Sequence, residues 1–268
     1  MSEKKIPLVE SFGPTIQGEG AVIGYQTIFL RFGGCDYRCG KCDSLHAVLP
    51  SMFKNAPKMT NAELLEHTLE LAGHCHWITF SGGNPCMWDL TDLVAGLKLA
   101  GKMIAVETQG TLLPDWLAMC DMVTVSPKGP GMDEVFEPEK FDAFVKKFHP
   151  VLEPKDPRMP MARGEDWHFG FSVKVVVFDQ RDLEFMVEIM ERWPTTAQVM
   201  FASIGNVDPP APAKRLHEGD ELPHMEFVEQ TLNNYELLAR EIWEDPRCSP
   251  VRVLPQLHTL LWGNKQGV

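Results

Sequence analysis

The chain has 268 residues, 44% hydrophobic and 23% charged, a mixture that buries a core and excludes a disordered or fibrous protein. With 25 basic against 37 acidic side chains the net charge is −12, which excludes a general nucleic-acid or anionic-membrane binder; any anion site must be assembled locally from a few cations or backbone N–H groups. No apolar run approaches the roughly 20 residues that span a bilayer, and the opening MSEKKIPLVESF has no apolar stretch of secretory-signal length, so a cytoplasmic protein is expected.

In chain order, residues 26–32 (QTIFLRF) read as a strand rich in Ile and Phe. Thr60 and Glu63 have capping-box spacing, and Leu64, Leu65, Leu69 and Ala72 follow at helical period. Residues 77–80 (WITF) are the next strand, and 89–100 a helix with Leu90, Leu93, Val94 and Leu97 on one face. A strand is predicted over 102–107, a short helix opened by proline over 114–120, a strand over 122–126 and a helix over 139–148. The nearly continuous apolar run 171–178 (FSVKVVVF) is a strand, followed by a helix over 183–193, a strand over 198–204, a long helix over 225–245 and a last strand over 250–257.

This alternation predicts an α/β fold of parallel strands with crossover helices, in which ligands gather at the carboxyl ends of the strands. Polar, glycine-rich runs do follow the strands directly: GGCDYRCGKCDS the first, SGGNP the second, TQGT the third and SPKGPG the fourth. The chain reads as one domain over 1–268, with Pro-rich stretches at 150–164 and 208–223 as surface insertions.

Seven cysteines is an odd number, and Cys35, Cys39 and Cys42 crowd into one glycine-flanked loop as C-x3-C-x2-C. That speaks for metal or redox chemistry rather than a disulfide framework. Thiolates at this spacing grip three corners of a metal centre, either a [4Fe–4S] cluster with one iron left open or a structural zinc completed by His46 or by one of His74, Cys75 and His76. The other cysteines, Cys75, Cys86, Cys120 and Cys248, read as small buried hydrophobes.

The most distinctive run is ESFGPTIQGEG, from Glu10 to Gly20. Gln17 and Glu19 flank a glycine, so backbone and side chains can approach a flat heterocycle and offer an amide and a carboxylate to a guanidine-like edge. Arg31, on the strand before the cysteine loop, suits a substrate carboxylate. Ser44 is either a plain turn residue or one oxygen ligand of a hard cation such as Mg2+. The tail from Pro255 to Val268 is too apolar for a frayed end and is expected to pack back on the body.

The cysteine triplet after the first strand of such a chain resembles the radical S-adenosylmethionine enzymes, although Lys41 stands where an aromatic usually precedes the last Cys, with Tyr37 between the first two. SGGNP resembles that group's Gly-Gly-Glu-Pro motif, with Asn84 in place of Glu. Together PTIQGEG, CDYRCGKCDS, SGGNP, ETQGT, VSPK and QLHTLLWGN resemble the 7-carboxy-7-deazaguanine synthase family of the 7-deazapurine (queuosine) pathway.

The resemblance implies an incomplete, open (β/α) barrel and a homodimer. It implies radical-mediated ring contraction of 6-carboxy-5,6,7,8-tetrahydropterin to 7-carboxy-7-deazaguanine with loss of ammonia, the hydrogen at C6 being taken by a radical generated on the cofactor. Cys35, Cys39 and Cys42 would hold the [4Fe–4S] cluster and Ser44 Mg2+. S-adenosylmethionine would touch Lys41, Asp43, Gly82, Gly83, Asn84, Gly110, Ser126, Pro127 and Lys128, with Ser203 and Asn206 bordering its adenine. The pterin would meet Ile16, Gln17, Gly18, Glu19, Arg31, Thr108 and the carboxylate of Val268. A flavodoxin- or ferredoxin-type protein would supply the electron. The alternatives are an activating enzyme that takes a hydrogen from a partner protein, and a non-catalytic zinc or iron–sulfur module.

Overall fold

Residues 4–152, 170–205, 225–263 and 267 are described by the computed structural model. The chain opens with β1 (Ile6–Ile16) and β2 (Gln26–Phe32), then the short helices α1 (Leu45–Val48) and α2 (Pro50–Phe53) and the two-residue β3 (Lys58–Met59). There follow α3 (Asn61–Ala72), β4 (Trp77–Gly82), α4 (Thr91–Leu99), β5 (Met103–Thr108), β6 (Met122–Val125), α5 (Pro138–Leu152), β7 (Gly170–Val177) and α6 (Gln180–Arg192). The last elements are β8 (Met200–Ile204), α7 (Met225–Glu244), β9 (Arg252–Leu254) and α8 (Leu257–Trp262).

All strands share one sheet in the order β3-β1-β2-β4-β5-β6-β7-β8-β9, so its two margins are different strands and it stays open. From β2 to β9 every pairing is parallel, while β1 runs antiparallel to β2 and β3 to β1. The parallel α/β expectation holds, with an antiparallel margin that it did not include. Residues 6–16 escaped the strand signal because register shifts near Leu8/Glu10 and Phe12/Thr15 break the alternation, and Gly13-Pro14 reads as a turn.

Local chemistry explains the helix bounds. The Thr60 hydroxyl accepts from the Glu63 N–H at 3.2 Å while the Glu63 carboxylate accepts from the Thr60 N–H at 2.7 Å, which is the capping box read from the sequence. Helix α6 begins three residues before its expected start because Asp179 caps it, accepting from the Arg181 N–H. The predicted helix over 114–120 is a 3-10 turn at Asp115–Met119, and another over Pro194–Val199 takes the start of the strand expected from 198. The last strand is short, and from Leu257 the chain turns into α8. The two insertions lie outside the described residues, apart from 150–152 in α5.

Side chains alternate along each strand, and the two faces carry different chemistry. Ile28, Leu30 and Phe32, Ile78 and Phe80, Ile104 and Val106, Val123 and Val125, and Val173 and Val175 bury in one core with Leu64 of α3, Leu93 and Leu97 of α4, Phe144 of α5 and Met186 of α6. The opposite face carries hydroxyls that pair with one another, Thr27 with Thr79 at 2.8 Å and Thr124 with Ser172 at 2.9 Å, and then the charged groups near the strand ends.

Asp182, fully buried on α6, ties the segment after β6 to the body. Its carboxylate accepts from the backbone N–H of Gly131 at 2.8 Å and of Phe178 at 2.9 Å, and the adjacent Met132 carbonyl accepts from Gly40 N–H in the cysteine loop at 2.8 Å. Asp182→Ala strands two buried donors and is expected to lower the unfolding free energy by about 2–4 kcal/mol, read as a shifted urea midpoint in the anaerobically purified protein.

Candidate active site

At the carboxyl ends of β2, β4, β5, β6 and β7 lies a cavity of about 260 Å³, walled by the cysteine loop on one side and the tail on the other. The cysteine loop leaves β2 through Gly33 and Gly34, the latter at φ +103°. Cys35, Cys39 and Cys42 are free thiols, half-buried, and all three reach the cavity wall. Burial raises each thiol above its usual range, Cys39 to about 12, against the opposing pull of Lys128, so a centre bound there must displace protons from neutral thiols.

The donor set is three soft sulfurs on one loop, which fits an iron–sulfur cluster bound at three corners. Among the described residues no three His, Cys, Asp or Glu side chains converge on a single ion. Of the candidate fourth zinc ligands, His46 faces the Glu10 carboxylate at 3.3 Å. Residues 74–76 precede β4, a whole strand away from the loop, roughly 20 Å at the usual rise per residue.

Arg31 is no surface charge: its side chain is 19% exposed. Its Nε donates to Glu10 Oε2 at 2.9 Å and its Nη1 to the Ser44 hydroxyl at 3.0 Å, which in turn donates to Asp43 Oδ1 at 2.9 Å. Ser44 thus keeps one lone pair open on the cavity wall. Burial raises the Glu10 pKa, but His46 and Arg31 outweigh it and hold the carboxyl below its ordinary value.

Ile16, Gln17, Gly18 and Glu19 line the facing wall. Gln17 donates to Glu107 Oε1 at 3.0 Å and accepts from the Glu19 N–H at 3.2 Å. Glu19 accepts from Lys174 Nζ at 2.5 Å and from Gln256 Nε2 at 2.7 Å. Burial would raise its pKa, but the Lys174 ammonium and then His258 bring it down to about 2. For Lys174 burial pulls downward, and Glu19 and Glu107 more than reverse it. The tail does pack back: Leu257 N–H donates to the Gly18 carbonyl at 3.0 Å, and a Cβ on Gly18 would stand 2.3 Å from His258 Nδ1, so only glycine fits beneath that imidazole.

Lys41, Asp43, Gly82, Gly83, Thr108, Ser126 and Lys128 also reach the cavity. Lys41 lies over the Phe178 ring at 4.2 Å, and Lys128 donates to the Ser126 hydroxyl at 3.1 Å. Four expected contacts do not form part of the wall: Asn84, Gly110, Pro127 and Ser203 are all buried behind it. Asn84 and Ser203 are buried, the Ser203 hydroxyl without a hydrogen-bond partner among the described residues, and Gly110 is buried at φ +86°. Asn206 and Val268 lie outside the described residues.

Sequence reasoning missed Glu10, Lys174, Gln256 and His258. Lys174 did carry a signal, a lone cation inside the apolar run FSVKVVVF. Glu10 is legible only once residues 6–16 are known to be a strand, because the register sets it opposite Arg31.

The Glu19–Lys174 pair is almost shielded from water, its side chains 13% and 7% exposed. Lys174→Met strands a buried carboxylate and is expected to cost about 3–5 kcal/mol, with Glu19→Gln in the same chain recovering most of it; urea unfolding of the four proteins of this cycle measures both. In the wild type Glu19 contributes above its ordinary 4.5 and loses that only as pH falls toward about 2, while Lys174 contributes below its ordinary 10.5, so the pair is steady through neutral pH. In Lys174→Met burial is opposed only by His258 and the Gln256 bond and the Glu19 pKa rises, so that variant is expected to regain stability, relative to wild type, as pH is lowered from 8 to 5.

No family model matches the sequence. The chain is 37% identical over 267 residues to 7-carboxy-7-deazaguanine synthase of Bacillus subtilis, covering 99% of both chains, and 35% identical over 266 residues to the same enzyme of Bacillus cereus, covering 98% of this chain and 99% of that one. Among solved structures it is similar to QueE from Escherichia coli, with a TM-score of 0.59 at 22% identity over 95% of each chain, a likeness of fold. Identity at this level along nearly the whole of both chains means that the protein belongs to the 7-carboxy-7-deazaguanine synthase family.

Proposed function

We propose that the cavity at the strand ends is where this chain, a radical S-adenosylmethionine lyase, makes 7-carboxy-7-deazaguanine for the queuosine pathway, by ring contraction of 6-carboxy-5,6,7,8-tetrahydropterin with loss of ammonia. The observation that carries this reading is the meeting of three free thiols with two buried acid–base pairs, Glu10–Arg31 and Glu19–Lys174, around one space. Cys35, Cys39 and Cys42 would hold a [4Fe–4S] cluster, which when bound would supply the electron for cleavage of the S-adenosylmethionine sulfonium.

The protein's own share is binding, orientation and exclusion of water. Cys35, Cys39 and Cys42 hold the cluster, and Lys128 sets a cation beside the thiolates. The Lys41–Asp43 stretch, the backbone of Gly82 and Gly83, and Ser126 and Lys128 border the S-adenosylmethionine space, with Asn84, Gly110, Pro127 and Ser203 as its support.

Arg31 is held by Glu10 along one edge of its guanidinium and presents the remainder to the pterin carboxylate. Glu19 stays ionised under Lys174, and the lone pairs left on its two oxygens, with Gln17, suit the guanidine-like edge of the pterin. Thr108 borders that edge, and Gly18 allows close approach. Ser44 would offer its open lone pair to Mg2+, which when bound would supply template and Lewis-acid chemistry to the substrate carboxylate.

The chain works as one domain and as a homodimer in the cytoplasm, drawing its electron from a flavodoxin- or ferredoxin-type donor. Within the described residues no helix is long and apolar enough to cross a membrane.

The test is an anaerobic assay of the reconstituted protein with the tetrahydropterin, S-adenosylmethionine, Mg2+ and a reductant, followed by mass spectrometry. Formation of 7-carboxy-7-deazaguanine is expected, and a chain that cleaves the cofactor but leaves the pterin intact refutes the assignment. Ser44→Ala is expected to raise the Mg2+ concentration needed for half-maximal rate about ten-fold at unchanged iron content; equal loss of iron would remove the assigned role. Cys39→Ala is expected to lose the brown colour and all turnover.

A further inference from the structure

Asn84 is fully buried, and its side-chain amide is saturated. Nδ2 donates to Asp36 Oδ1 at 2.9 Å and to the Thr111 hydroxyl at 3.3 Å, while Oδ1 accepts from the Cys86 N–H at 3.2 Å and the Thr108 hydroxyl at 3.0 Å. A primary amide has two donors and two acceptor lone pairs, so nothing remains with which to grip a ligand. Its partner Asp36 is exposed and stands inside the cysteine loop, directly after Cys35. The same Asp36 oxygen accepts from Gln109 Nε2 at 2.5 Å, and that nitrogen lies 3.6 Å from Cys35 Sγ.

Backbone bonds join the same two segments. Gly83 N–H donates to the Phe32 carbonyl at 3.0 Å and Asn84 N–H to the Gly34 carbonyl at 2.7 Å. A Cβ on Gly83 would stand 2.0 Å from that Gly34 oxygen and 3.0 Å from Cys35 Cβ, so the approach is open to glycine only. Residues 82–84 therefore lie against the first turn of the cysteine loop.

We propose that Asn84 is a positioning residue: through Asp36 it splints the stretch from Cys35 to Cys39 onto the end of β4 and so sets where those two sulfurs stand in the cavity. The proposal rests on the three-thiol cluster reading above and adds a purpose for the SGGNP run other than contact with ligand. What matters is the direction of the bond, an amide N–H facing a carboxylate. An Asp at position 84 turns that donor into a second acceptor, and two carboxylates at this distance repel.

Four full-length variants test this: Asn84→Asp, Asp36→Ala, Asp36→Asn, and the exchange of Asp36→Asn with Asn84→Asp. For each, the measurements are iron per chain, the electron paramagnetic resonance spectrum of the reduced cluster and the Kd for S-adenosylmethionine. Asn84→Asp and Asp36→Ala are expected to shift the spectrum and weaken cofactor binding about ten-fold or more. Asp36→Asn keeps an acceptor oxygen and is expected to stay within about two-fold of wild type. The exchange restores a donor–acceptor pair and is expected to recover most of what Asn84→Asp loses.

Asp36→Ala alters an exposed side chain but takes an acceptor from the Asn84 and Gln109 amides, so its urea unfolding is measured alongside, and in the folded variant wild-type iron, spectrum and Kd overturn the splint. So does an exchange variant that folds but remains as poor as Asn84→Asp. A wild-type chain that takes up no iron–sulfur cluster overturns the cluster reading itself, a result distinct from either.

Discussion

Successive side chains of a strand point to opposite faces, and in this sheet that alternation separates two chemistries on which everything else rests. One face is Ile, Val, Leu and Phe, packed under α3, α4, α5 and α6. The other is Thr27, Thr79, Thr124 and Ser172 in hydroxyl pairs, with Arg31, Ser81, Glu107 and Lys174 near the carboxyl ends. Because β2 and β4 to β7 run parallel, those ends fall on one side of the sheet and bring their charged residues to a single cavity. An antiparallel sheet of the same residues would divide them between two edges.

The cavity is closed by contacts from the two extremes of the chain. The antiparallel β1 delivers Glu10 against Arg31 and ends at the loop of Gln17 and Glu19. The tail returns to that loop through Gln256 and Leu257, and Lys174 anchors Glu19 from β7. A buried carboxylate with two donors and a buried ammonium with a short ionic partner have their charges compensated without water. That fixes the wall before any ligand arrives, so its orientation need not be established in the reacting complex.

How much of this the sequence disclosed depends on the range of the interactions. Short-range signals were sufficient for the longer strands from 26 onward, though not for the two-residue β3, and for the Thr60–Glu63 cap and the glycine-rich runs after the strands, because periodicity, capping and turn chemistry are local. The three cysteines stood out for the same reason, as a spacing within one loop. Lys174 and Gln256 were not: they meet Glu19 across 155 and 237 positions, and no local pattern encodes such a pairing. The strand β1 was hidden by its own irregularity. For Asn84 a motif fixes only where the side chain starts, while packing shows that its amide is already spent on Asp36, Thr111, Cys86 and Thr108.

The chain carries a net charge of −12, yet the cavity gathers Arg31, Lys41, Lys128 and Lys174, and their partners decide what each contributes. Arg31 and Lys174 are each matched by a glutamate, so these pairs contribute direction more than net charge. Lys128 donates to a serine and Lys41 lies over a phenylalanine ring, so both bring positive charge toward the cysteine loop. Beside three cysteine sulfurs these two cations would offset the negative charge of a thiolate centre, although Lys41 also acts on the Asp179 carboxylate. Their field acts over a few ångströms and is screened beyond roughly 10 Å at moderate salt, so the acidic exterior neither cancels it nor depends on it.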